Sequence, residues 1–398
     1  MTIKTKILID RFIGQLICGC IDIISLFSFK NRRKIKSEKI CIILLSEMGS
    51  LTVIFPMIQT LKKNNPNSVI YLLTLKKNDE IIKIMGLVPE QNILTIDDSS
   101  FIRFLSDSYQ TIRHLRTIAV DTIIDCELFS RISSIYSYLS GAKIRAGFHP
   151  HTQEGLYRGN HINRRVLYNP YIHVSEQFLN LAESIGSKEL PKNKRILSSD
   201  HFKTPQITIS EKEKTDFIKR VESNFPDFLK QPIVIINPGG GLLPIRAWPQ
   251  ENFCRVAEKL IKTNHSVAVT GINHDKETAR KITTSCSSQY CVDMVGFTRS
   301  IRELFILFSI SKLLITNDSG PGHFSSLISL PAIILFGPET PLLYGSLNPN
   351  AVNMYANFSC SPCLTAYNHR NSPCNGKNLC LKTIKPEQVL SKVYEVLS

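Results

Sequence analysis

The sequence lacks the features by which several protein classes are recognised. Its 398 residues contain no internal repeat, no low-complexity segment, no helix-turn-helix and no RNA-binding signature. Basic residues are not interleaved with aromatic ones in a stripe, so the chain is not predicted to bind nucleic acid. A chain of this length, with 43% apolar residues, fits two α/β domains better than one core.

Acidic residues are scarce relative to basic ones. The chain has 33 Asp and Glu residues against 48 Lys and Arg residues, which gives a net charge of +15. An excess of this size calls for an anionic partner. With nucleic acid set aside, the expected partners are an anionic membrane surface and an anionic glycolipid or glycan.

The sequence is not expected to contain a membrane-spanning segment or a cleavable signal. The most apolar stretch, residues 12–29, contains Gln15 and Asp22 and falls short of the roughly 20 residues that cross a bilayer. No small-residue cleavage site precedes the basic residues that follow it, which are Lys30, Arg32, Arg33, Lys34, Lys36 and Lys39. We therefore expect a cytoplasmic protein.

The same N-terminal stretch is amphipathic when it is wound as a helix. Arg11, Gln15, Asp22 and Ser25 then form one polar stripe, with apolar residues elsewhere. This pattern predicts that residues 1–38 lie on the inner face of the cytoplasmic membrane, with the basic run held by anionic lipid. The alternative is a helix packed on the protein's own domain.

Cysteine is not scarce, and four of the eleven cysteines lie close together near the end of the chain. In a chain without a secretory signal, cysteines indicate a reducing compartment. The clustered four follow the spacing C-x2-C-x10-C-x5-C, which leaves structural zinc, disulfides and free thiols open. They are Cys360, Cys363, Cys374 and Cys380.

Short apolar runs alternate with helical patterns along the rest of the chain. This alternation predicts two doubly wound, Rossmann-like domains, at residues 39–205 and 206–398. The boundary falls in the polar stretch 188–214, which carries little core signal. The second domain includes the cysteine-rich segment 360–380.

The most informative stretch is residues 313–338, which reads as one βαβ unit. Its strand-to-helix turn, residues 316–323, has the sequence TNDSGPGH. Asp318 or Ser319 can cap the helix, and two glycines allow a ligand close to the backbone. Free N–H groups at a helix start favour an anion, most naturally a diphosphate.

This stretch resembles glycosyltransferase family 9, the bacterial heptosyltransferases, whose hallmark is T-N-D-S-G-P-x-H followed by L-F-G-P. The resemblance implies the GT-B architecture, in which two doubly wound domains face a cleft. It also implies a nucleotide-sugar donor held in the second domain. The residues on the family's donor positions at this turn are Asp318, Ser319, Gly320 and His323.

Other donor-binding residues follow from the same resemblance. Arg246 stands where the family has a lysine that binds phosphate, and three glycines form a second phosphate-binding loop. Leu242 and Leu243 replace the Thr or Ser that often follow these glycines, which removes hydroxyl contacts. The full additional set is Gly239, Gly240, Gly241, Arg246, Asn273, Met294 and Thr298.

The first domain is expected to hold the acceptor and the catalytic base for an inverting transfer. Related enzymes have an Asp at the position of Ser50, and a serine hydroxyl is no base at neutral pH. Glu47 and Glu127 are the predicted bases, against the alternative of a solvated or helix-capping carboxylate. Ser50, Arg145, Arg164 and Arg165 are predicted to bind an anionic acceptor, and Arg158 belongs to the same basic set.

The resemblance thus implies a sugar transfer, most simply of heptose from ADP-heptose to a lipopolysaccharide-core or other surface-glycan acceptor. The chemistry needs no metal if arginine and backbone amides hold the phosphates. Two alternatives stay open. One is the same fold with another nucleotide-sugar donor, and the other is a non-catalytic binding or scaffold protein that keeps the donor pocket.

Overall fold

The computed structural model describes residues 3–26, 37–45, 47–149, 156–186, 203–241, 243–368, 370–372, 374 and 376–398. The basic run at 30–36, residues 188–202 of the polar stretch 188–214, and Leu242 lie outside these residues. The chain divides into two compact units, Met1–Lys203 and Thr204–Ser398. Each unit has its own sheet and its own core.

The first unit is built on a six-stranded sheet in which all paired strands are parallel. Its order is β3-β2-β1-β4-β5-β6. The strands are β1 (Lys39–Ile43), β2 (Val69–Leu75), β3 (Ile93–Ile96), β4 (Thr122–Asp125), β5 (Ile144–His149) and β6 (Arg164–Leu167). Winding reverses between β1 and β4, so the carboxyl ends of these two strands border the crevice where such sheets bind ligands.

Helices cover both faces of this sheet, which is why its central strands are continuous apolar runs. The helices are α1 (Ile3–Ile9), α2 (Gln15–Leu26), α3 (Met48–Val53), α4 (Phe55–Asn64), α5 (Asp79–Met85), α6 (Phe101–Thr117), α7 (Arg131–Leu139) and α8 (Val174–Ser184). Residues 48–64 form two helices, α3 and α4, rather than one continuous helix. Pro56 is the second residue of α4 and lies in its first turn, where the missing N–H of proline costs nothing, whereas a continuous helix would require that N–H as a donor.

The N-terminal helix packs against α7. A π-helical turn, Asp10–Gly14, joins α1 to α2. The Asp10 carboxylate accepts hydrogen bonds from the N–H groups of Arg131 (3.0 Å) and Ile132 (2.9 Å), so it caps the start of α7. A Cβ on Gly14 would lie 2.8 Å from the Cβ of Arg131, so glycine is needed for this close approach.

Asp22 makes the second polar anchor of the N-terminal helix. Its carboxylate accepts hydrogen bonds from the Tyr157 hydroxyl (2.5 Å) and the Asn160 N–H (2.7 Å). The predicted polar stripe is therefore only partly a solvent-facing feature: Arg11 and Gln15 are exposed, but Asp22 contacts the domain. The sequence left open whether this helix packs on its own domain, and along one side it does.

The second unit repeats the same winding. Its sheet has the order β12-β11-β10-β7-β8-β9, again with all paired strands parallel. The strands are β7 (Ile233–Asn237), β8 (Ser266–Val269), β9 (Cys291–Asp293), β10 (Leu313–Asn317), β11 (Ala332–Phe336) and β12 (Ala351–Tyr355). The predicted fold class, two doubly wound α/β domains, is confirmed.

Eight helices accompany this sheet in the described part of the unit. They are α9 (Glu211–Asn224), α10 (Gln250–Lys262), α11 (Lys276–Cys286), α12 (Ile301–Ser309), α13 (Gly320–Phe324), α14 (Pro341–Tyr344), α15 (Leu379–Thr383) and α16 (Pro386–Leu397). Trp248 is buried in the core of this unit, and its ring packs edge-on against Phe253, with the ring centroids 4.9 Å apart. Its indole N–H donates to the carbonyl of Ile384 (3.0 Å).

Candidate functional site

The carboxyl ends of β7 and β10 lie side by side and carry the two predicted donor loops. Asn317, the last residue of β10, ties these loops together. Its side-chain amide donates to the carbonyls of Pro238 (2.8 Å) and Gly239 (3.2 Å). Its side-chain oxygen accepts from the Trp248 N–H at 2.9 Å. One buried amide therefore sets the spacing between the glycine loop and the Asp318 turn.

The three glycines of the first loop are required by the loop's own packing. A Cβ on Gly240 would lie 2.8 Å from the Leu243 carbonyl oxygen, and Gly241 has a φ of +63°. A Cβ on Gly239 would meet the carboxylate of Asp275 at 2.8 Å. Asp275 was not predicted from the sequence, although it lies two residues after Asn273 in the 3-10 turn that follows β8.

The second loop is a shorter helix start than the sequence suggested. Helix α13 has only five residues, so its dipole is small and the turn offers mainly individual N–H groups. Ser319 is the N-cap residue, but its hydroxyl makes no capping hydrogen bond and donates to the Asn317 carbonyl at 3.2 Å. Gly322 is needed for sheet packing, because a Cβ there would lie 3.0 Å from Ile334.

Arg246 and Asp318, both predicted to bind the donor, lie close to each other. Arg246 ends the short 3-10 turn Pro244–Arg246 and is 5% exposed. Its Nε lies 3.5 Å from Asp318 Oδ2, and its Nη2 lies 2.8 Å from Oε2 of Glu339. A buried guanidinium is stable only when carboxylates balance its charge, and these two supply that balance.

Glu339 is the most important residue that sequence reasoning missed. It is 2% exposed and directly follows the L-F-G-P string at the end of β11. A carboxylate immediately after a buried strand at the ligand edge of the sheet is a signal that could have identified it. Arg370, which approaches the other oxygen of Glu339 at 3.5 Å, was missed as well.

The remaining predicted donor residues differ in whether they lie near Asp318. His323 is half-buried and lines a small depression together with Asp318, Ser319 and Tyr344. Gly320 opens α13 beside them. Asn273, by contrast, is exposed in a 3-10 turn after β8.

The segment after β9 contributes its predicted residues in different ways. Met294 was expected at the nucleotide rim, but its side chain is fully buried in the core. It is therefore not at a surface where a nucleotide could contact it, and this expectation was wrong for the side chain. Thr298, four residues later, is half-buried.

In the first unit, the two predicted bases lie at the carboxyl ends of adjacent strands. Strand β1 pairs with β4, with Ile43 opposite Asp125. Glu127 Oε1 accepts a hydrogen bond of 2.6 Å from the Leu45 N–H, which fastens the loop after β4 to the loop after β1. Glu47 is half-buried and is the N-cap residue of α3, but its carboxylate makes no capping hydrogen bond.

Arg158 is not available to an acceptor, contrary to expectation. It is 0% exposed and forms an ion pair with Asp125, which is equally buried at the end of β4. Its Nη1 also donates to the Glu127 carbonyl at 3.1 Å. Arg158 is therefore a core residue that supports the loop carrying Glu127.

The three arginines predicted to bind the acceptor do not share one surface. Arg164 and Arg165 are consecutive on β6, so their side chains project to opposite faces of the sheet. Arg145, on β5, shares a face with Arg165 because Gly147 pairs with Arg165. Its Nε donates to the His161 carbonyl at 2.6 Å, so part of its hydrogen-bonding capacity is used within the domain.

The clustered cysteines are thiols in this structure. Cys363 Sγ lies 3.0 Å from the Ser372 hydroxyl, and Cys380 is buried in α15. Among the residues that the structure describes, no three Cys, His, Asp or Glu side chains are grouped as a metal ion requires. Structural zinc at Cys360, Cys363, Cys374 and Cys380 remains a prediction.

Comparison with known proteins agrees with this picture. Lipopolysaccharide heptosyltransferase 2 of Salmonella typhimurium is 26% identical over 199 residues, which cover 49% of this chain and 54% of that protein. The first curated relatives are each matched over about half of their length or less.

Two solved structures share the fold of this chain. The structure titled E. coli ADP-heptose lps heptosyltransferase II has a TM-score of 0.67 at 20% identity, over 90% of this chain and 98% of that one. E. coli heptosyltransferase WaaC with ADP has a TM-score of 0.63 at 15% identity, over 90% and 99%. Both have the two-domain GT-B architecture that was expected here.

The family assignment rests on the match of the chain to a family model. Residues 109–372 match the family described as "Glycosyltransferase family 9 (heptosyltransferase)". This range is well over half of the chain and includes the glycine loop, Arg246, the Asp318 turn and Glu339. The chain therefore belongs to glycosyltransferase family 9.

Proposed function

We propose that this protein transfers a sugar from a nucleoside diphosphate to an anionic glycolipid or glycan of the lipopolysaccharide core. Heptose carried by ADP is the proposed donor. The observation that carries the proposal is the buried Arg246–Asp318 pair at the ligand edge of the second sheet, in a chain of this family. The names of two relatives add the donor, because they specify ADP-heptose and ADP.

Arg246 is suited to the leaving group of such a transfer. In a single in-line displacement, negative charge develops on the departing nucleoside diphosphate, and a preorganised cation stabilises it. A planar guanidinium can donate two parallel hydrogen bonds to phosphate oxygens. Because Arg246 is already held by Asp318 and Glu339, little ordering of its side chain is needed when the donor binds.

The test is to remove each partner of this pair separately. Arg246→Ala and Asp318→Ala should each weaken ADP binding or lower turnover at least tenfold, which corresponds to about 1.4 kcal/mol. Arg255→Ala is the matched control, because Arg255 is an exposed cation on α10 of the same unit. Calorimetric titration with ADP, UDP, GDP and CMP also identifies the nucleotide.

Three results separate the alternatives. Unchanged ADP affinity and turnover in both variants refute the donor site. Preference for UDP, GDP or CMP over ADP supports the same fold with another donor. Nucleotide binding without transfer to any extracted glycolipid supports a non-catalytic binding protein.

We propose Glu47 as the base that removes the acceptor's proton in an inverting displacement. It lies in the turn after β1, where the first sheet's winding reverses. Its carboxylate does not cap α3, so the helix-capping alternative loses its support. Glu127 is the second candidate, because it follows β4, the strand next to β1, and one of its oxygens accepts the Leu45 N–H.

We also propose that the N-terminal helix places the protein on an anionic membrane surface. The side of the helix that turns away from the domain is apolar, with the exposures Phe12 62%, Ile13 50%, Leu16 72%, Ile23 61% and Ile24 59%. Among the described residues, no helix combines the length and apolarity that crossing a bilayer demands. A helix docked to its domain through Asp10 and Asp22, with its apolar side outward, suits the interfacial plane.

Helix α6 carries a second group of exposed apolar side chains and also contacts α7. Ser108 of α6 is 2.6 Å from the Tyr136 hydroxyl of α7, the helix that the N-terminal helix also contacts. Helix α6 exposes its own apolar side chains, with Phe101 at 45%, Ile102 at 79% and Leu105 at 51%. The N-terminal helix and α6 therefore both contact α7.

Vesicle flotation tests the membrane proposal. Phe12→Ser/Leu16→Ser removes roughly 2–4 kcal/mol of apolar burial and should lower binding to phosphatidylglycerol vesicles at least tenfold. Leu167→Ser on β6 is the control, because Leu167 is 53% exposed and does not belong to this helix. Higher salt should weaken binding by screening the basic residues. Loss of self-association instead of vesicle binding contradicts the proposal.

A further inference from the structure

The cysteine-rich segment, residues 360–380, is packed directly on the proposed donor site. The N–H groups of Cys363 and Leu364 both donate to the carbonyl of Pro338 at 2.9 Å. The Ser361 hydroxyl donates to the carbonyl of Gly337. These contacts fix the segment against the turn that ends in Glu339.

The far end of the segment grips the other donor loop. The side-chain amide of Asn378 donates to the carbonyl of Ile245 at 2.8 Å. Ile245 immediately precedes Arg246 in the 3-10 turn. The cysteine-rich segment therefore holds both the turn that carries Arg246 and the turn that carries Glu339.

Between these two attachments the segment presents Arg370. Its Nε lies 3.5 Å from Oε1 of Glu339, and its guanidinium lies 5.5 Å from the centre of the Tyr344 ring. Tyr344 also lines the depression that contains Asp318. The loop is braced by Asn368, whose side-chain amide donates to the Cys363 carbonyl at 2.7 Å.

A single carboxylate thus joins two arginines. Arg246 Nη2 contacts Oε2 of Glu339 at 2.8 Å, while Arg370 approaches Oε1. The two arginines and the two carboxylates, Asp318 and Glu339, form a cluster with no net charge. The side chain of Arg370 is 26% exposed, against 6% for Arg246, so it is the cation that an incoming anion reaches first.

We propose that Arg370 is a second cation for the donor diphosphate, and that Glu339 holds both arginines in place before the donor binds. This inference rests on the proposed function, in which the donor phosphates bind beside Arg246. It explains how the site manages with Leu243 after its glycine loop, because a guanidinium supplies donors that a hydroxyl would otherwise provide. It also gives the cysteine-rich segment a role in binding.

The test compares ADP with adenosine on the full chain. Arg370→Ala should weaken ADP binding at least tenfold and change adenosine binding less than twofold, because only ADP carries the phosphates. Arg370→Lys should restore part of the loss, since it keeps the charge but not the planar fork. Lys377→Ala is the matched control, because it removes an exposed cation from the same segment.

Each outcome bears on a different claim. ADP affinity that Arg370→Ala leaves unchanged overturns this inference alone. Equal losses for ADP and adenosine overturn it too, because they indicate a structural role. If Arg370→Ala does not fold, the salt dependence of ADP binding is compared between Arg370→Lys, which keeps the charge, and Arg370→Gln, which removes it. The same salt dependence in both variants refutes a phosphate contact. Absence of ADP binding to the wild-type protein refutes the proposed function itself.

Discussion

Replacing Arg158 by methionine should destabilise the first unit more than any surface change in it. Arg158 and Asp125 are both 0% exposed, and the change removes the only cation in contact with that carboxylate among the contacts of the described residues. Methionine fills similar volume without charge. The variant also loses hydrogen bonds from Arg158 to the Glu127 carbonyl and the Ser133 hydroxyl, both at 3.1 Å.

The expected cost follows from leaving one buried charge without its partner. Breaking such a pair typically costs about 3–5 kcal/mol, which is a large part of the roughly 5–15 kcal/mol that stabilises a domain. The double variant Asp125→Asn/Arg158→Met leaves no uncompensated charge. It should therefore cost about as much as one single change, so the non-additivity is as large as the other single change, roughly 3–5 kcal/mol.

The chain offers a built-in way to assign the effect to one unit. Trp248 is the only tryptophan and is buried in the second unit. In Arg158→Met, far-UV circular dichroism should therefore detect a transition at a lower urea concentration than in the wild type. The transition detected by tryptophan fluorescence should stay at the wild-type urea concentration. Equal shifts by both probes, or a loss below about 1 kcal/mol, would refute the reasoning.

The pH dependence gives an independent check. Burial raises the pKa of the Asp125 carboxyl, and Arg158 opposes that rise. Without Arg158 the pKa in the folded state lies further above the unfolded value, so the carboxyl destabilises the fold increasingly as pH rises. The deficit of Arg158→Met should therefore be smaller at pH 5 than at pH 8.

Three further predictions concern other parts of the chain. Glu47→Gln should lower turnover at least about 100-fold with little change in ADP affinity, while Ser50→Ala does little; full activity in Glu47→Gln, with loss in Glu127→Gln, assigns the base to Glu127. A hydrogen bond from Arg302 lowers the pKa of Glu213 to about 2. The stability that this carboxylate adds is therefore fully present above its unfolded pKa of about 4.3, and it is lost as the pH falls from there to about 2. Wild type and Glu213→Gln should thus differ in Trp248-monitored stability at pH 6 and converge near pH 2; a constant difference contradicts this. If the clustered cysteines bind structural zinc, atomic spectroscopy should find one equivalent of metal in the wild type and none when Cys360 and Cys363 are replaced by serine. A wild-type protein without metal would show that the thiols are only packing residues.

The sequence was sufficient where the pattern itself determines the structure. Continuous apolar runs such as residues 233–236 and 313–315 identified the central strands, because strands covered on both faces need no alternation. The Asp318 turn was identifiable because Pro321 and the glycines restrict the backbone locally. Arg246 and Asp318 were both assigned to the donor through the family resemblance, and the structure brings them to 3.5 Å.

Where partners are distant in sequence, the pattern carried no information. Arg158 read as a surface cation because nothing nearby reveals that Asp125, 33 residues earlier, lies beside it. Met294 read as a rim residue although tertiary packing buries it. Arg370 was missed for the same reason, since its contact with Glu339 arises only when the cysteine-rich segment folds onto the end of β11.

The capping of α7 by Asp10 has a consequence for the order of events during synthesis. The carboxylate is made about 120 residues before the N–H groups that it will cap, as their separation of 121 positions requires. At roughly 5–20 residues per second, the ribosome needs on the order of 6–24 s to complete that interval. During this time the helix has no α7 to dock on, so its apolar residues meet only water, a chaperone or a lipid surface. Translation itself thus gives a bilayer the first opportunity to capture this helix, before its own domain exists.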